Sequence, residues 1–390
     1  MNNKRRYKKI EMNKKLFFLI VLGCILFSIS TGIAAEIKIG GVAPLTGHVA
    51  TFGISTKNAA MIAFDEINST GGVNLGGTKY LINYIVEDDQ GTPEVAANAF
   101  RKLLDQDEVV AIIGSVTSNC TLAGVPIAQE AGIPVISPTS TAEQVTLTGD
   151  YIFRACFLDP FQGAVVATFS YNDLNARKGA VIFDNANDYT KGLAEAFKKN
   201  FEKLGGEVVA YEAYTDESKT VDFSAQLTNI KAANPDVIFL DAYYAAAALM
   251  AKQARALGIT AHFVGADGWD SAQFTKLGGD AVEGGHFCNH YSPEDPRPIV
   301  QGFVKKYSEI YGETPDSLAT LAYDAALIMI DSLERAGSTD GASIRDAIVA
   351  TNLECVSGQI TFDENGDPIK KAAIIKVENG KFVFQKFVQP

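Results

Sequence analysis

Short apolar runs alternate with helix-length amphipathic stretches along nearly the whole chain, and this alternation limits the possible folds more than any other feature. Ile37–Ala43 is one such run, followed by Ser55–Asn68 with Ala60, Ala63, Phe64 and Ile67 at helical spacing. Tyr80–Val86 reads as a strand, and Pro93 opens a helix that carries Ala96, Ala99, Phe100 and Leu103 on one face. Val109–Gly114, a helix over Leu122–Glu130 and Pro134–Ser137 continue the pattern. It resumes after Phe161–Tyr171 with strands at Ala180–Phe183, Val208–Tyr211, Val237–Leu240 and His262–Val264, separated by helices near 190–204, 222–233 and 244–257. Repeated strand–helix units build parallel sheets covered by helices on both faces.

The units fall into two blocks, about 40–155 and 160–285. A mostly helical region, 296–350, and a strand-rich end, 356–387, complete the chain. At 390 residues it is long enough for two ordinary domains and short of three. It has no long Pro/Ser-rich linker, so two lobes joined by several short crossings are expected, not beads on a string.

The first 35 residues differ. Lys4, Arg5, Arg6, Lys8, Lys9, Lys14 and Lys15 precede an apolar run, Leu16–Phe27, and small residues lead to Ala34 and Ala35. This is the pattern of an export signal peptide, and the run is shorter than the roughly 20 apolar residues of a membrane span. Val21-Leu22-Gly23-Cys24 offers lipid attachment at Cys24 as the alternative to a freely soluble product. Without residues 1–35 the chain carries 27 basic and 45 acidic residues, a charge of −18, which argues against a nucleic-acid partner. Cys120, Cys156, Cys288 and Cys355 lack C-x-x-C spacing, and either free thiols or disulfides fit them.

Motifs for catalysis are missing. There is no G-x-G-x-x-G after the first strand, no phosphate-binding G-x-x-x-x-G-K-[ST] and no G-x-S-x-G nucleophile elbow. His286, Cys288 and His290 alternate and are zinc-ligand types, but packing or hydrogen bonding near a lobe crossing is the preferred account of them, and no metal or other cofactor is expected.

In open α/β sheets, ligands bind beyond the carboxyl ends of the strands. In the first block those ends read Ser115-Val116-Thr117-Ser118-Asn119-Cys120-Thr121 and Pro138-Thr139-Ser140-Thr141, two hydroxyl-rich turns that each enter a helix. Free N–H groups and the dipole at such an entrance receive an anion such as a carboxylate, although plain N-capping uses the same residues. In the second block the ends carry Asp184–Tyr189, Asp241-Ala242-Tyr243-Tyr244 and Gly265-Ala266-Asp267-Gly268-Trp269. Asp267 could hold an ammonium group, with Tyr189, Tyr243 and Trp269 walling an apolar side chain. An anion receptor facing a cation receptor describes a zwitterion site.

The chain also resembles the leucine/isoleucine/valine-binding proteins, the amino-acid receptors of ABC importers. The resemblance runs through Ile37-Lys38-Ile39-Gly40, Pro44-Leu45-Thr46-Gly47, Ala63-Phe64-Asp65-Glu66-Ile67-Asn68, Glu87-Asp88-Asp89 and Gly132-Ile133-Pro134. It continues with Asp188-Tyr189-Thr190-Lys191-Gly192, Gln253-Ala254-Arg255-Ala256-Leu257-Gly258 and Phe362-Asp363-Glu364-Asn365-Gly366-Asp367. It implies the type I periplasmic binding protein fold: two Rossmann-like lobes with parallel sheets, residues 36–156 plus 288–361 and 157–287 plus 362–390, joined by three short hinge crossings. It implies that Ser118 and Thr141 bind a ligand carboxylate. The Thr139 carbonyl and the Asp267 side chain would take the ammonium, and Tyr189 and Tyr243 would close over the ligand. The family usually has glutamate at the Asp267 position, often tyrosine at Phe52, and in some members phenylalanine at Leu318; Trp269 has no counterpart there. The implied protein is an exported monomer that meets the membrane only through a permease or a lipid anchor and closes its hinge around one amino acid. A receptor of the same fold for an aromatic acid, amide or urea is the first alternative. An exported hydrolase using Ser118 or Asp267 is the second, although neither turn supplies a histidine to activate a serine.

Overall fold

The structure, a computed structural model, describes residues 35–388; the expected export segment up to residue 34, Cys24 included, lies outside the described residues. Two sheets organise the chain. The first contains β1 (Ala35–Ala43), β2 (Val73–Leu75), β3 (Thr78–Asp88), β4 (Ala111–Ile113), β5 (Val135–Ser137) and β6 (Ile152–Arg154), in the order β2-β3-β1-β4-β5-β6. β1, β4, β5 and β6 are mutually parallel, and β2–β3 is an antiparallel hairpin. The second begins with β7 (Lys178–Asp184), β8 (Glu207–Tyr214), β9 (Val237–Asp241), β10 (His262–Gly265) and β11 (His286–Asn289), all parallel. The chain then returns to the first lobe for helices Pro298–Tyr311, Ser317–Ala336 and Gly341–Val349 and a small hairpin of β12 (Asn352–Cys355) and β13 (Gly358–Thr361). It ends on β14 (Ala372–Glu378) and β15 (Lys381–Val388), which extend the second sheet antiparallel beside β11.

The helices form where the apolar stripes lie. Pro93–Asp105 starts on a proline, whose missing N–H costs nothing in a first turn, and buries Ala96, Ala99, Phe100 and Leu103, the four residues of the sequence stripe. β4 and β5 are only three residues long and wholly buried, as central parallel strands covered on both faces must be.

Three connections cross between lobes: Ala155–Leu158, His290–Arg297 and Phe362–Lys371. They lie side by side, with the Lys370 ammonium donating to the Ala155 carbonyl at 2.8 Å and the Phe157 ring stacked on His290 at 3.7 Å. Two crossings differ from the expected boundaries. Cys288 and Asn289 pair with β14 in the second sheet, so the chain leaves that sheet after 289. The turn Asp363–Asp367 is pinned to β6 by Arg154, whose N–H donates to the Gly366 carbonyl and whose Nε lies 2.6 Å from Asp367, so the final segment joins the second sheet only at Ala372. Ion pairing to a buried arginine outweighs the nearness in sequence to β14.

The cleft between lobes is closed. Phe52, Val116 and Leu318 of the first lobe share one apolar cluster with Tyr189 and Tyr243 of the second. Polar bonds also span it: the Asp188 N–H donates to Asn119 at 2.8 Å, the Ser317 N–H to Asp270 at 2.7 Å, and the Tyr244 hydroxyl to the His48 carbonyl at 3.1 Å. Cys120, Cys156, Cys288 and Cys355 are buried free thiols. No helix among the described residues is long and apolar enough to cross a membrane.

Candidate functional site

At the carboxyl ends of both sheets the lobes meet around one narrow, partly open cavity. The first lobe lines it with Phe52, Val116, Thr117, Ser118, Thr139 and Leu318, and the second with Tyr189, Tyr243, Asp267 and Gly268. Seven of the nine residues expected at the site therefore share one cavity.

The first hydroxyl-rich turn is partly helix: the α-helix runs Ser118–Ala131, four residues longer at its start than the apolar pattern suggested. Thr117 is the capping residue, yet its side chain makes no cap hydrogen bond, so simple N-capping does not explain the turn. The N–H groups of a first helical turn have no partner within the helix, and here they carry its positive end. The second turn enters a helix as expected, but a short one of the 3-10 type, Glu143–Thr148. Its loop is locked instead: Ser118 Oγ accepts from the Ala142 N–H at 3.3 Å, Thr139 Oγ1 donates to the Val116 carbonyl at 2.6 Å, and Arg154 donates to the carbonyls of Ser140 and Ala142 at 2.7 and 2.9 Å.

Two expected site residues, the carboxylate ligand Thr141 and the wall residue Trp269, lie elsewhere. Thr141 is fully buried but does not line the cavity; its hydroxyl lies near the Asp159 carboxylate without a well-formed hydrogen bond. Trp269 belongs to the core of the second lobe. It stacks on Phe274 at 4.5 Å, donates from Nε1 to the Leu240 carbonyl at 3.0 Å, and passes so close to Gly265 that a Cβ there would sit 2.1 Å from the ring. A large flat ring gains more by filling the space under β10 than by facing a small cavity.

Aromatic packing forms the apolar wall. Tyr189 and Tyr243 stack at 5.2 Å and 11°, and Phe52 meets Tyr243 edge-on at 5.7 Å. Gly268 keeps the backbone close to these rings, since a Cβ there would stand 2.8 Å from the Tyr189 hydroxyl.

Asp267 is 7% exposed and holds the one carboxylate in the cavity wall. Its Oδ1 accepts from the Tyr189 hydroxyl at 2.7 Å and from Gln162 Nε2 at 3.1 Å; its Oδ2 lies 2.8 Å from His290 Nε2. Gln162 also accepts the Asp267 N–H at 2.9 Å. Burial lowers the His290 pKa, more strongly than Asp267 raises it, so the ring is neutral near pH 7. Every donor around Asp267 is thus uncharged, and no lysine or arginine lines the cavity.

Gln162 and His290 had no sequence signal for this role. Gln162 is an ordinary helix residue by pattern, and His290 stood out only as an alternate with His286 and Cys288. It sits just beyond β11, so the three do not form one strand face, and among the described residues no group of three or more His, Cys, Asp or Glu side chains could hold a metal ion.

With this geometry in view, residues 36–381 match the family model described as periplasmic binding protein. The chain is 32% identical over 384 residues to Leu/Ile/Val-binding protein homolog 3 of Brucella melitensis, covering 95% of this chain and 99% of that one. The crystal structure of a leucine-binding protein from Thermotoga maritima superposes with a TM-score of 0.85 at 38% identity, over 91% of this chain and 99% of that chain. A branched-chain amino acid transporter substrate-binding protein from Streptococcus pneumoniae, solved with isoleucine, gives 0.85 at 32% identity, over 91% and 100%.

Proposed function

Because the chain belongs to the periplasmic binding protein family, solute receptors of ABC transporters and not enzymes, we propose that it binds one free aliphatic L-amino acid, such as leucine, isoleucine or valine, between its lobes. One observation carries the reading: Asp267 is buried in the cavity wall with only neutral donors, across from an uncapped helix start on the other lobe. A buried carboxylate whose partners are all uncharged calls for a cation, and an α-ammonium group supplies it. The first-turn N–H groups and the Ser118 hydroxyl take the ligand carboxylate, as a helix start readily does. Thr139 contributes its carbonyl beside Asp267 to the ammonium. Phe52, Val116, Leu318 and Tyr243 surround the side chain.

The isoleucine complex of the Streptococcus pneumoniae relative supports the same class of ligand. An aromatic acid fits the apolar wall but has nothing to offer Asp267. Closure around the ligand would present both lobes to a permease outside the cytoplasm, in keeping with the basic and apolar export segment. Isothermal titration of unliganded protein with leucine, isoleucine, valine, phenylalanine and benzoate tests this reading. Binding of a branched aliphatic amino acid ahead of the other two compounds is the expected result; preference for benzoate overturns it.

A further inference from the structure

We infer that His290 is a positioning residue for Asp267 and so sets the preference for ligands bearing an α-ammonium group. This rests on the amino-acid reading above. A carboxylate has about four lone-pair sites, two on each oxygen. Tyr189 and Gln162 fill both sites on Oδ1, and His290 fills one on Oδ2. The single acceptor site left for the ligand is therefore on Oδ2, the same oxygen that His290 holds.

The imidazole is itself fixed, and from the hinge. It stacks on Phe157 with ring centroids 3.7 Å apart and an interplanar angle of 24°. Phe157 belongs to the first crossing and His290 opens the second, so the ring spans two of the three hinge strands. The His290 backbone N–H donates to Asn289 Oδ1 at 2.8 Å, and Asn289 in turn donates to Asp270 at 2.9 Å, so the main chain at this point is held as well, while the ring Nδ1 makes no hydrogen bond. A neutral donor placed this way orients the carboxylate without cancelling its charge. A lysine or arginine in the same place would satisfy Oδ2 and also supply the positive charge that the ligand otherwise brings.

A matched pair of variants tests the role. His290→Gln keeps an N–H donor near the position of Nε2; His290→Asn is also polar but its donor falls at the Nδ1 level, short of Asp267. Each variant and the wild type are titrated with L-leucine and with α-ketoisocaproate, which has the same side chain and carboxylate but no ammonium. Loss of a hydrogen bond that holds a charged acceptor predicts a fall of about 10- to 100-fold in leucine affinity for His290→Asn, with α-ketoisocaproate within about threefold of wild type. His290→Gln should restore most of the leucine preference. A parallel loss for both ligands in His290→Asn marks a purely structural role and overturns the inference, as does an unchanged ratio. Should His290→Asn fail to fold, His290→Phe, which keeps the stack on Phe157 and removes the donor, carries the same expectation. A wild type that favours α-ketoisocaproate over leucine overturns the amino-acid reading itself, before any variant is compared.

Discussion

Replacing Asp267 by asparagine keeps the shape of the side chain, removes its charge and turns one of its two acceptor oxygens into an N–H donor, so it tests the charge and the acceptor site together. The ligand ammonium would lie at hydrogen-bonding distance from Oδ2 in a cavity without lysine or arginine. Two unit charges about 4 Å apart attract by about 4 kcal/mol at the effective dielectric of a protein site. Truncating one partner of a buried, hydrogen-bonded charge pair costs about 2–5 kcal/mol. At 1.4 kcal/mol per decade, Asp267→Asn should weaken leucine binding by about 30-fold at least and more than a thousandfold at most. The unliganded protein should respond much less. Asp267 acts on Asp159 and Asp241, two buried carboxyls whose pKa values are pushed well up, by burial first and by neighbouring carboxylates second. Removing its charge relieves that repulsion, but the amide cannot accept all three hydrogen bonds that the carboxylate receives, so the two effects oppose and the thermal midpoint of the variant should stay close to that of the wild type. Isothermal titration calorimetry and differential scanning calorimetry on the same samples give both quantities. Leucine affinity within threefold of wild type would refute the reasoning, and weaker binding together with a lower midpoint would reduce it to simple destabilisation.

Further outcomes follow from the same site and its surroundings. Gly268→Ala places a methyl group 2.8 Å from the Tyr189 hydroxyl and 3.1 Å from the Tyr243 ring, so ligand titration should show affinity lost while the circular dichroism spectrum is kept. Glu217, buried beside the Tyr243 N–H, has its carboxyl pushed up to about 8 by desolvation, and Asp316 is raised by burial and by Asp270 across the cleft. A folded-state pKa above the unfolded value stabilises below the ordinary carboxyl range and loses that contribution as pH rises through the shifted value. The midpoint should therefore fall between about pH 5 and pH 8.5, and Glu217→Gln should flatten that limb; a midpoint that rises over the interval contradicts the assignment. Asp88 and Asp236, held low by hydrogen bonds, act oppositely and erode stability only in stronger acid. Trp269, buried against Phe274, should show blue-shifted emission inaccessible to iodide, and Trp269→Ala should cost about 3–5 kcal/mol in urea unfolding. Ready quenching in the native protein would show that the ring lies outside the core.

The amino-acid order by itself determined the alternation of strand and helix, the two-lobed layout and the positions of the strand ends. These depend on local periodicity and on glycine, proline and hydroxyl residues whose effects act within one or two turns of chain. The stripe Ala96, Ala99, Phe100 and Leu103 is buried as its spacing requires, and Ser118, Thr139, Tyr189, Tyr243 and Asp267 meet because parallel sheets direct their strand ends to the same side. Tertiary packing decided the rest. Trp269 turned inward to fill the space beneath Gly265, the helix after the Thr141 turn took the short 3-10 form, and Arg154 held the final crossing against β6 through Asp367. Gln162 and His290 reach Asp267 from 105 and 23 residues away. Bonds of that kind leave no periodic trace, because they depend on how helix, strand end and hinge pack together within the second lobe and not on any spacing along the backbone.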